Sequence, residues 1–210
     1  MQPEQREELE REIRALCDRG ELQGAAAAAV RGYGPEIYGF LVAFHRQKDD
    51  ASEVFAAFTE RLWRGLPGFE WQCSFRTWAY AIARNTSLTY RRQARRRAEL
   101  YGPLPDGSQL SALEQQPRSE TASYLKTQRQ TRMAALRESL PREDQELLVL
   151  RVDRKLAWKD LARVVLHPRD GLGPSDEVLD REAARLRKRF QIVKEQLYEM
   201  GRREGLISDR

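Results

Sequence analysis

Arginine and aromatic side chains alternate along residues 74–97 in a pattern that suits contact with nucleic acid. The segment contains seven arginines and no acidic residue. At 3.6 residues per turn, a helix over these residues would be apolar on one side and basic on the other. Guanidinium groups neutralise phosphates, and aromatic rings between them stack on unpaired bases. The segment therefore predicts a helix that binds nucleic acid, and a merely solvated charged face is the simpler alternative.

The two sides of this predicted helix have different expected roles. Ser74 precedes the helix and is predicted to be its N-cap, because its hydroxyl can accept a hydrogen bond from the first turn. Trp78 falls in the apolar stripe and is interpreted as a core residue. The apolar side comprises Phe75, Trp78, Ala79, Ile82 and Thr86, and the basic side comprises Arg76, Tyr80, Arg84, Arg91 and Arg95.

The composition favours a protein that binds nucleic acid and disfavours one that inserts into a membrane. The 210 residues carry a formal net charge of +5, a charged fraction of 33% and a mean hydropathy of −0.72. Local basic excess is typical of proteins that bind nucleic acid, although membrane surfaces attract the same charge. No apolar run approaches the roughly 20 residues that span a bilayer, and the acidic N-terminus has no apolar signal core. We therefore expect a cytoplasmic protein without membrane insertion.

The residues that usually carry catalysis are sparse. The chain has two cysteines and two histidines: Cys17, Cys73, His45 and His167. Their spacing suits neither a zinc site nor a Cys–His nucleophile. The cysteines are predicted to be reduced thiols, and His45 is predicted to lie on the surface at a helix end. We expect no enzyme activity, no metal and no cofactor.

Hydrophobic periodicity predicts an all-α fold of two helical domains joined by a flexible acidic linker. The predicted domains are residues 1–97 and 130–200, with a linker at 98–129 and a tail at 201–210. Five helices are predicted in the first domain, at 4–20, 22–32, 35–44, 50–66 and 74–97. In the second, a turn at 153–155 leads into a compact helix at 157–166 and a last helix at 176–200, an order typical of a helix-turn-helix. The last helix is predicted to bury Phe190, Ile192, Val193 and Leu197.

Several short motifs occur in a fixed order along both predicted domains. They read DASEV at 50–54, SFRTW at 74–78, IARN at 82–85, LPRE at 140–143, LLVLR at 147–151 and WKDLA at 158–162. On these motifs the chain resembles bacterial RNA polymerase sigma factors of the compact extracytoplasmic-function group. The resemblance implies a region 2-like bundle, which binds the polymerase clamp and melts the −10 element, and a region 4-like helix-turn-helix.

The resemblance also assigns roles to individual residues. For DNA at the −10 region it implies Trp71, Gln72, Cys73, Arg76, Tyr80, Arg84, Asn85, Arg91 and Arg92. For DNA at the −35 region we predict Arg185, Arg187, Lys188 and Arg189. For polymerase it implies Asp50, Glu53, Val54, Phe55, Phe58 and Trp63. The expected partners are core RNA polymerase and promoter DNA, with an anti-sigma factor as a further possible partner, and the linker is expected to thread the polymerase channel.

The chain departs from the family pattern at three places. Ala56 and Ala57 occupy positions where the family usually has a Gln-Glu pair. Arg154-Lys155-Leu156 replaces a turn that usually contains glycine, and about ten residues at 167–176 are inserted before the last helix. Two alternatives therefore stay open. One is a helix-turn-helix regulator that binds duplex DNA without polymerase, and the other is a helical adaptor whose basic face meets acidic protein or membrane.

Overall fold

The protein is all-α. A computed structural model describes residues 1–45, 47–101, 122–167 and 173–207, with the backbone alone for 101 and 122–130. The described residues form α1 (Pro3–Asp18), α2 (Leu22–Phe44), α3 (Lys48–Gly65), a 3-10 turn (Leu66–Gly68), α4 (Phe75–Tyr101), α5 (Ala122–Ser139), α6 (Arg142–Leu148), a π turn (Val149–Asp153), α7 (Trp158–Leu166) and α8 (Asp176–Arg203).

Helices α1 to α4 form a bundle around the apolar side of α4. Phe75 and Ala79 are fully buried and Trp78 is 8% exposed, which confirms Trp78 as a core residue. The Ser74 hydroxyl accepts a hydrogen bond from the backbone N–H of Thr77 at 3.1 Å, which confirms the predicted N-cap. The sequence pattern thus located the start of the basic helix correctly.

Helix α2 corrects the predicted break at residues 32–35. The chain continues as one helix through Pro35, although proline removes a backbone hydrogen bond and glycine weakens a helix. Two features offset that cost. Tyr33 and Ile37, on either side of the proline, are buried in the core, and Gly32 admits Leu9 of α1 so closely that a Cβ there would overlap it. Tertiary packing overrides local propensity here.

The second half of the chain, residues 122–207, contains α5 to α8 in the described parts. The compact helix and the start of α8 lie where the sequence predicted them. Val193 is buried, but Ile192 is 39% exposed, so its predicted burial was wrong. The predicted linker is shorter than expected at both ends, since α4 extends to Tyr101 and α5 begins at Ala122. The rest of the linker, 102–121, and residues 168–172 of the insertion lie outside the described residues.

In the turn before α7, Lys155 adopts the backbone conformation that a glycine would usually provide. Its φ is +56°, in the left-handed region that glycine adopts without strain. The turn is held by a hydrogen bond from the backbone N–H of Leu156 to the carbonyl of Leu150, at 3.0 Å. The turn therefore keeps the backbone shape of a glycine turn with a lysine in its place.

Lys155→Gly should raise the free energy of unfolding by about 1 kcal/mol, because glycine removes the Cβ strain of the left-handed conformation. Urea denaturation followed by circular dichroism measures the change. Lys155→Ala is the matched control, since it keeps the Cβ and should give no such gain. An equal gain from both substitutions would show that loss of the lysine charge, not backbone strain, is responsible.

The two halves of the molecule pack against one another. Helix α4 of the first half lies along α7 of the second, and the π turn reaches α2. One apolar core runs through both, since Leu147, Leu150 and Leu161 belong to the same cluster as Phe75 and Ala79. The basic side of α4 therefore faces protein along part of its length.

Candidate nucleic-acid interface

The N-terminus of α4 is held by a carboxylate from α1. The half-buried Glu10 side chain accepts hydrogen bonds from the backbone N–H of Phe75 at 2.8 Å and of Arg76 at 2.9 Å. It also accepts one from the Tyr33 hydroxyl at 2.7 Å. A negative charge at this end of a helix compensates the unpaired N–H groups and the helix dipole. Glu10 thus fixes where α4 begins relative to α1 and α2.

Two residues of the predicted basic face are core residues in this structure. Arg76 is 6% exposed and Tyr80 is fully buried, and both contact Glu36 of α2. Arg76 Nε donates to Glu36 Oε1 at 2.8 Å, its Nη2 forms a second short contact, and Tyr80 donates to the same oxygen at 2.7 Å. Their burial corrects the prediction that both lie on a side of the helix open to DNA. The periodicity of α4 shows on which side a residue lies, but not that α2 packs there with Glu36 opposite them.

The charge state of this cluster follows from its contacts. Burial alone would raise the pKa of Glu36, but the hydrogen bonds from Arg76 and Tyr80, with the guanidinium charge, hold it below its usual value. Burial likewise raises the pKa of the Tyr80 hydroxyl, with the Glu36 charge adding to the effect. Glu36 is therefore an anion and Tyr80 a neutral donor at neutral pH.

Arg84 and Asn85 lie at the boundary with the second half. Arg84 Nε donates to Glu146 Oε1 of α6 at 2.5 Å, and its Nη1 donates to the carbonyl of Val165 at 3.2 Å. Asn85 Nδ2 donates to the carbonyl of His167 at 3.3 Å. Burial raises the pKa of Glu146, an effect that the Arg84 charge opposes. In this conformation both predicted DNA contacts are occupied by protein groups.

The C-terminal part of α4 presents its arginines to solvent. Arg92 and Arg95 to Arg97 are exposed, and Arg91 is half-buried with its guanidinium 5.6 Å from the centre of the Phe44 ring. Burial, and then the nearby charge of Arg142, lower the pKa of Arg91. This end of α4 is the part of the predicted basic surface that a polyanion can reach in the structure as it stands.

The loop before α4 holds Trp71 in an unusual backbone conformation. Its φ is +58°, in the left-handed region that bulky residues rarely adopt. The indole lies 4.8 Å from Phe69 between ring centres, and the Arg14 guanidinium lies over it at 5.3 Å. Strained backbone of this kind concentrates at binding and catalytic sites. The loop thus presents a half-buried aromatic ring beside a cation, an arrangement suited to stacking on a base.

The other two loop residues differ in exposure. Gln72 is exposed and donates from Nε2 to Glu70 Oε2 at 2.8 Å. Cys73 is half-buried, and burial raises its pKa to about 11. A cavity of about 240 Å³ opens between this loop and α7. Cys17 and Cys73 are free thiols, as the sequence predicted.

The basic residues of α8 are exposed, and three of the four predicted ones have contacts within the protein. Arg185 forms an ion pair with Glu182 at 2.6 Å, and Arg187 lies 5.8 Å from the Trp158 ring. Arg189 makes two hydrogen bonds, of 2.7 and 2.5 Å, to the buried carboxylate of Asp144. Lys188 is exposed. Contact of these four with the −35 element stays a prediction.

The residues predicted to bind polymerase separate into core and surface positions. Val54 and Phe58 are buried in the bundle, which corrects their assignment as contact residues, because a helix packed on both neighbours buries its apolar stripe. Phe55 is half-buried, and Asp50 accepts a hydrogen bond from the Tyr90 hydroxyl at 2.6 Å. Glu53 is exposed and Trp63 is 42% exposed, so these two are the predicted residues that a partner can reach most easily.

His45 is buried, contrary to its predicted surface position. It is 6% exposed, its ring lies 2.7 Å from the Ser87 hydroxyl through Nε2, and burial lowers its pKa. Among the described residues, no His, Cys, Asp or Glu group of three or more has the arrangement of a metal site. Within the same residues, no helix has the length and apolarity needed to cross a membrane.

The sequence did not predict three acidic side chains that hold this interface together. Glu10, Glu36 and Glu146 each lie on one helix and act on another, 40 or more residues away along the chain. The acidic N-terminus was visible, but nothing local distinguishes Glu10 from its exposed acidic neighbours. Only its place between Leu9 and Ile13, at the edge of the apolar stripe, could have indicated contact with the bundle.

Comparison with protein families identifies one segment. Residues 29–97 match the family model of sigma-70 region 2. The match covers α2 beyond its first turns, α3, the strained loop and nearly all of α4. No curated protein matches the chain significantly.

Proposed function

We propose that this chain is a sigma factor of the extracytoplasmic-function group, which directs core RNA polymerase to promoters and opens the DNA at the −10 element. Residues 1–97 would bind the polymerase and the unpaired strand, and residues 130–200 would contact the −35 element. The proposal makes the chain a cytoplasmic binding subunit, not an enzyme in its own right.

The observation that carries the proposal is the match of residues 29–97 to sigma-70 region 2. It includes the loop in which Trp71 adopts a left-handed backbone and the helix that carries the arginines. Melting DNA exposes bases and phosphates together, and a stacking ring followed by a basic helix can hold both. The region 4 role is supported by the α6–α7–α8 order and by the exposed basic positions of α8.

Run-off transcription with core polymerase on a genomic promoter library tests the proposal. We expect transcripts from a discrete set of start sites that share −10 and −35 sequences, and co-purification of the chain with the core enzyme. The wild-type chain without core enzyme and the core enzyme alone are the controls. Absence of chain-dependent transcripts, together with failure to bind the core enzyme, would contradict a sigma role.

Trp71→Ala should reduce open-complex stability by about 1–3 kcal/mol, because it removes the ring proposed to stack on an unpaired base. Permanganate reactivity of the −10 thymines measures opening. The defect should shrink on a template already mismatched across the −10 element, where unpairing has no further cost. Trp63→Ala is the control: it removes an exposed indole of α3 that is predicted to contact polymerase, so its defect should be the same on both templates. An equal Trp71→Ala defect on the two templates would contradict base stacking.

A regulator that binds duplex DNA without polymerase is the second candidate. The replacement of a Gln-Glu pair by Ala56 and Ala57 favours it, since the family uses that pair for the polymerase clamp. The two candidates differ in a simple measurement. A sigma factor should bind duplex promoter poorly when alone and strongly with core enzyme, whereas the regulator should bind it equally well in both conditions.

A further inference from the structure

Helix α8 has one side packed on the protein and another that faces solvent. Its buried side comprises Leu179, Ala183, Leu186 and Val193. At about 100° per residue, Arg181 and Lys188 lie on the opposite side of the helix. Both residues are exposed, and among the residues that the structure describes neither side chain has a hydrogen bond, ion pair or ring contact. These two cations are therefore available to a partner without breaking any contact of the protein.

Arg189, in contrast, is bound to the inside of the second half. Its Nε donates to Asp144 Oδ1 at 2.7 Å, and its Nη2 donates to Asp144 Oδ2 at 2.5 Å. Asp144 is 1% exposed and lies in the first turn of α6. A buried carboxylate that loses its counter-charge strongly destabilises a fold, so the Arg189 guanidinium is not free to move to DNA. The pair joins α6 to the middle of α8.

The connection that precedes α8 is too long to fix the angle of this helix. A helix-turn-helix usually sets that angle with a turn of three or four residues, but here residues 167–175 connect α7 to α8. Lys159 of α7 pairs with Asp176 at the start of α8 at 3.1 Å, yet 74% of the Asp176 side chain is exposed. Exposed ion pairs contribute little stability. The buried pair of Arg189 with Asp144 is therefore the stronger polar constraint on the orientation of α8.

Arg185 also faces protein. Its Nε and Nη2 donate to Glu182, at 2.8 and 2.6 Å, and only 12% of the Glu182 side chain is exposed. These contacts occupy the edge of the guanidinium that a bidentate contact with guanine would use. Arg185 and Arg189 also line a cavity of about 440 Å³ that Arg84 of the first half lines from the other side. The exposed basic residues of α8 therefore differ in what they can reach.

We propose that Arg181, Ala184 and Lys188 form the surface of α8 that reads the bases of the −35 element. In the same proposal Arg189 is a positioning residue, which holds α8 against α6 through Asp144. Seven residues separate the two cations, about 10 Å along the helix, which is roughly the rise of three base pairs. Ala184 is exposed between them and is small enough to contact a thymine methyl group. The inference rests on the proposed function, which assigns the −35 element to residues 130–200.

The reading surface is tested with the full chain on a duplex promoter library randomised across the −35 element, bound with core enzyme and by the chain alone. Arg181→Ala and Lys188→Ala should each lower discrimination by about 5- to 150-fold at one or two base pairs. The affected positions should differ by about three base pairs between the two variants. Lys194→Ala is the matched control: it removes a cation from another side of α8, beside the Phe190 ring, and should leave discrimination within about twofold of the parent.

The positioning role is tested with Asp144→Asn, which keeps the side-chain shape and releases Arg189 from its ion pair. If α8 is held correctly in a smaller fraction of molecules, binding weakens by the same factor for every sequence. We therefore expect Asp144→Asn and Arg189→Ala each to raise the Kd at least about fivefold, with base preference and salt dependence unchanged. The double variant should be no worse than the weaker single variant. Arg189→Lys keeps the counter-charge and should recover part of the affinity.

Contrary results would overturn each part of the proposal. Full base discrimination in both Arg181→Ala and Lys188→Ala would overturn the reading surface. Tighter binding by Asp144→Asn, or a log–log salt slope lower by about 0.9 in Arg189→Ala, would show that Arg189 contacts a phosphate instead. Circular dichroism verifies that each variant folds, and Arg189→Lys carries the test where Arg189→Ala does not.

Failure of the proposed function is a different result. If the chain alone selects the same sequences as it does with core enzyme, and Arg181 and Lys188 determine the selected bases, the sigma role is contradicted and the reading surface stands. If run-off transcription depends on the chain but does not respond to −35 substitutions, the sigma role stands and the reading surface is overturned.

Discussion

Glu36→Ala should lower the free energy of unfolding by about 3–5 kcal/mol, because it leaves the buried Arg76 guanidinium without its counter-charge. Arg76 is 6% exposed and donates to Glu36 from two of its nitrogens, and Tyr80 loses its hydrogen-bond acceptor as well. Urea denaturation at neutral pH measures the loss. It is a large part of the 5–15 kcal/mol that stabilises a typical domain.

The Glu60–Arg64 pair provides the matched control for this change. The side chains of Glu60 and Arg64 are 57% and 75% exposed, and Glu60 Oε1 lies 2.6 Å from Arg64 Nη2. Glu60→Ala should cost no more than about 0.5 kcal/mol, since solvent screens an exposed pair. The double variant Glu36→Leu with Arg76→Met should recover most of the loss, because neither buried charge remains. A Glu36→Ala effect as small as that of Glu60→Ala would contradict the burial of the cluster.

Acid should reduce the difference between wild type and Glu36→Ala. The pKa of Glu36 is lower in the folded protein than its ordinary value of 4.5. A carboxyl whose pKa falls on folding contributes stability above its unfolded pKa and loses it as the pH falls through the folded value. The stability difference should therefore be constant above about pH 5 and decline below 4.5.

Glu10→Ala should lower the free energy of unfolding by about 2–3 kcal/mol. Loss of an N-terminal cap costs about 1–2 kcal/mol, and loss of the acceptor for the buried Tyr33 hydroxyl adds about 1 kcal/mol. Hydrogen exchange should locate the effect, with faster exchange at the first turn of α4, where Phe75 and Arg76 lose their acceptor.

Two further variants separate the contributions of Glu10. Tyr33→Phe removes only the hydroxyl contact of 2.7 Å and should leave exchange at the first turn of α4 unchanged. Glu12→Ala changes an exposed acid of α1 and should have little effect on either measurement. If Glu12→Ala destabilised the chain as much as Glu10→Ala, general helix charge and not the cap would be the cause.

Local patterns predicted the elements of this fold well. The Ser74 cap, the compact helix and the start of α8 depend on residues within one or two turns, and all three lie where the sequence placed them. The sequence predicted a helix end at residue 32, but α2 continues to Phe44. The prediction was wrong because continuation of the helix depends on the packing of Gly32 against Leu9, 23 residues earlier in the chain. Propensity alone carries no information about such a contact.

The candidate site was predictable in composition but not in exposure. Periodicity placed Arg76, Tyr80 and Arg84 on one side of α4, and the structure keeps them there. The exposure of that side depends on Glu36 of α2 and Glu146 of α6, which pair with Arg76 and Arg84. Because these acids are distant from the arginines in sequence, no local pattern predicts the pairing. The sequence pattern of α4 shows on which side of the helix a residue lies, whereas the burial of that residue depends on which other helix packs against that side.

The shared core of the two halves has a consequence for how the protein unfolds. Leu147, Leu150 and Leu161 belong to one apolar cluster with Phe75 and Ala79, so neither half can lose its structure without exposing apolar surface of the other. Denaturant should therefore melt the free chain in a single sigmoidal transition whose m value reflects the surface of both halves. A chain whose domains folded independently would instead melt in two steps, each with the smaller m value of one domain.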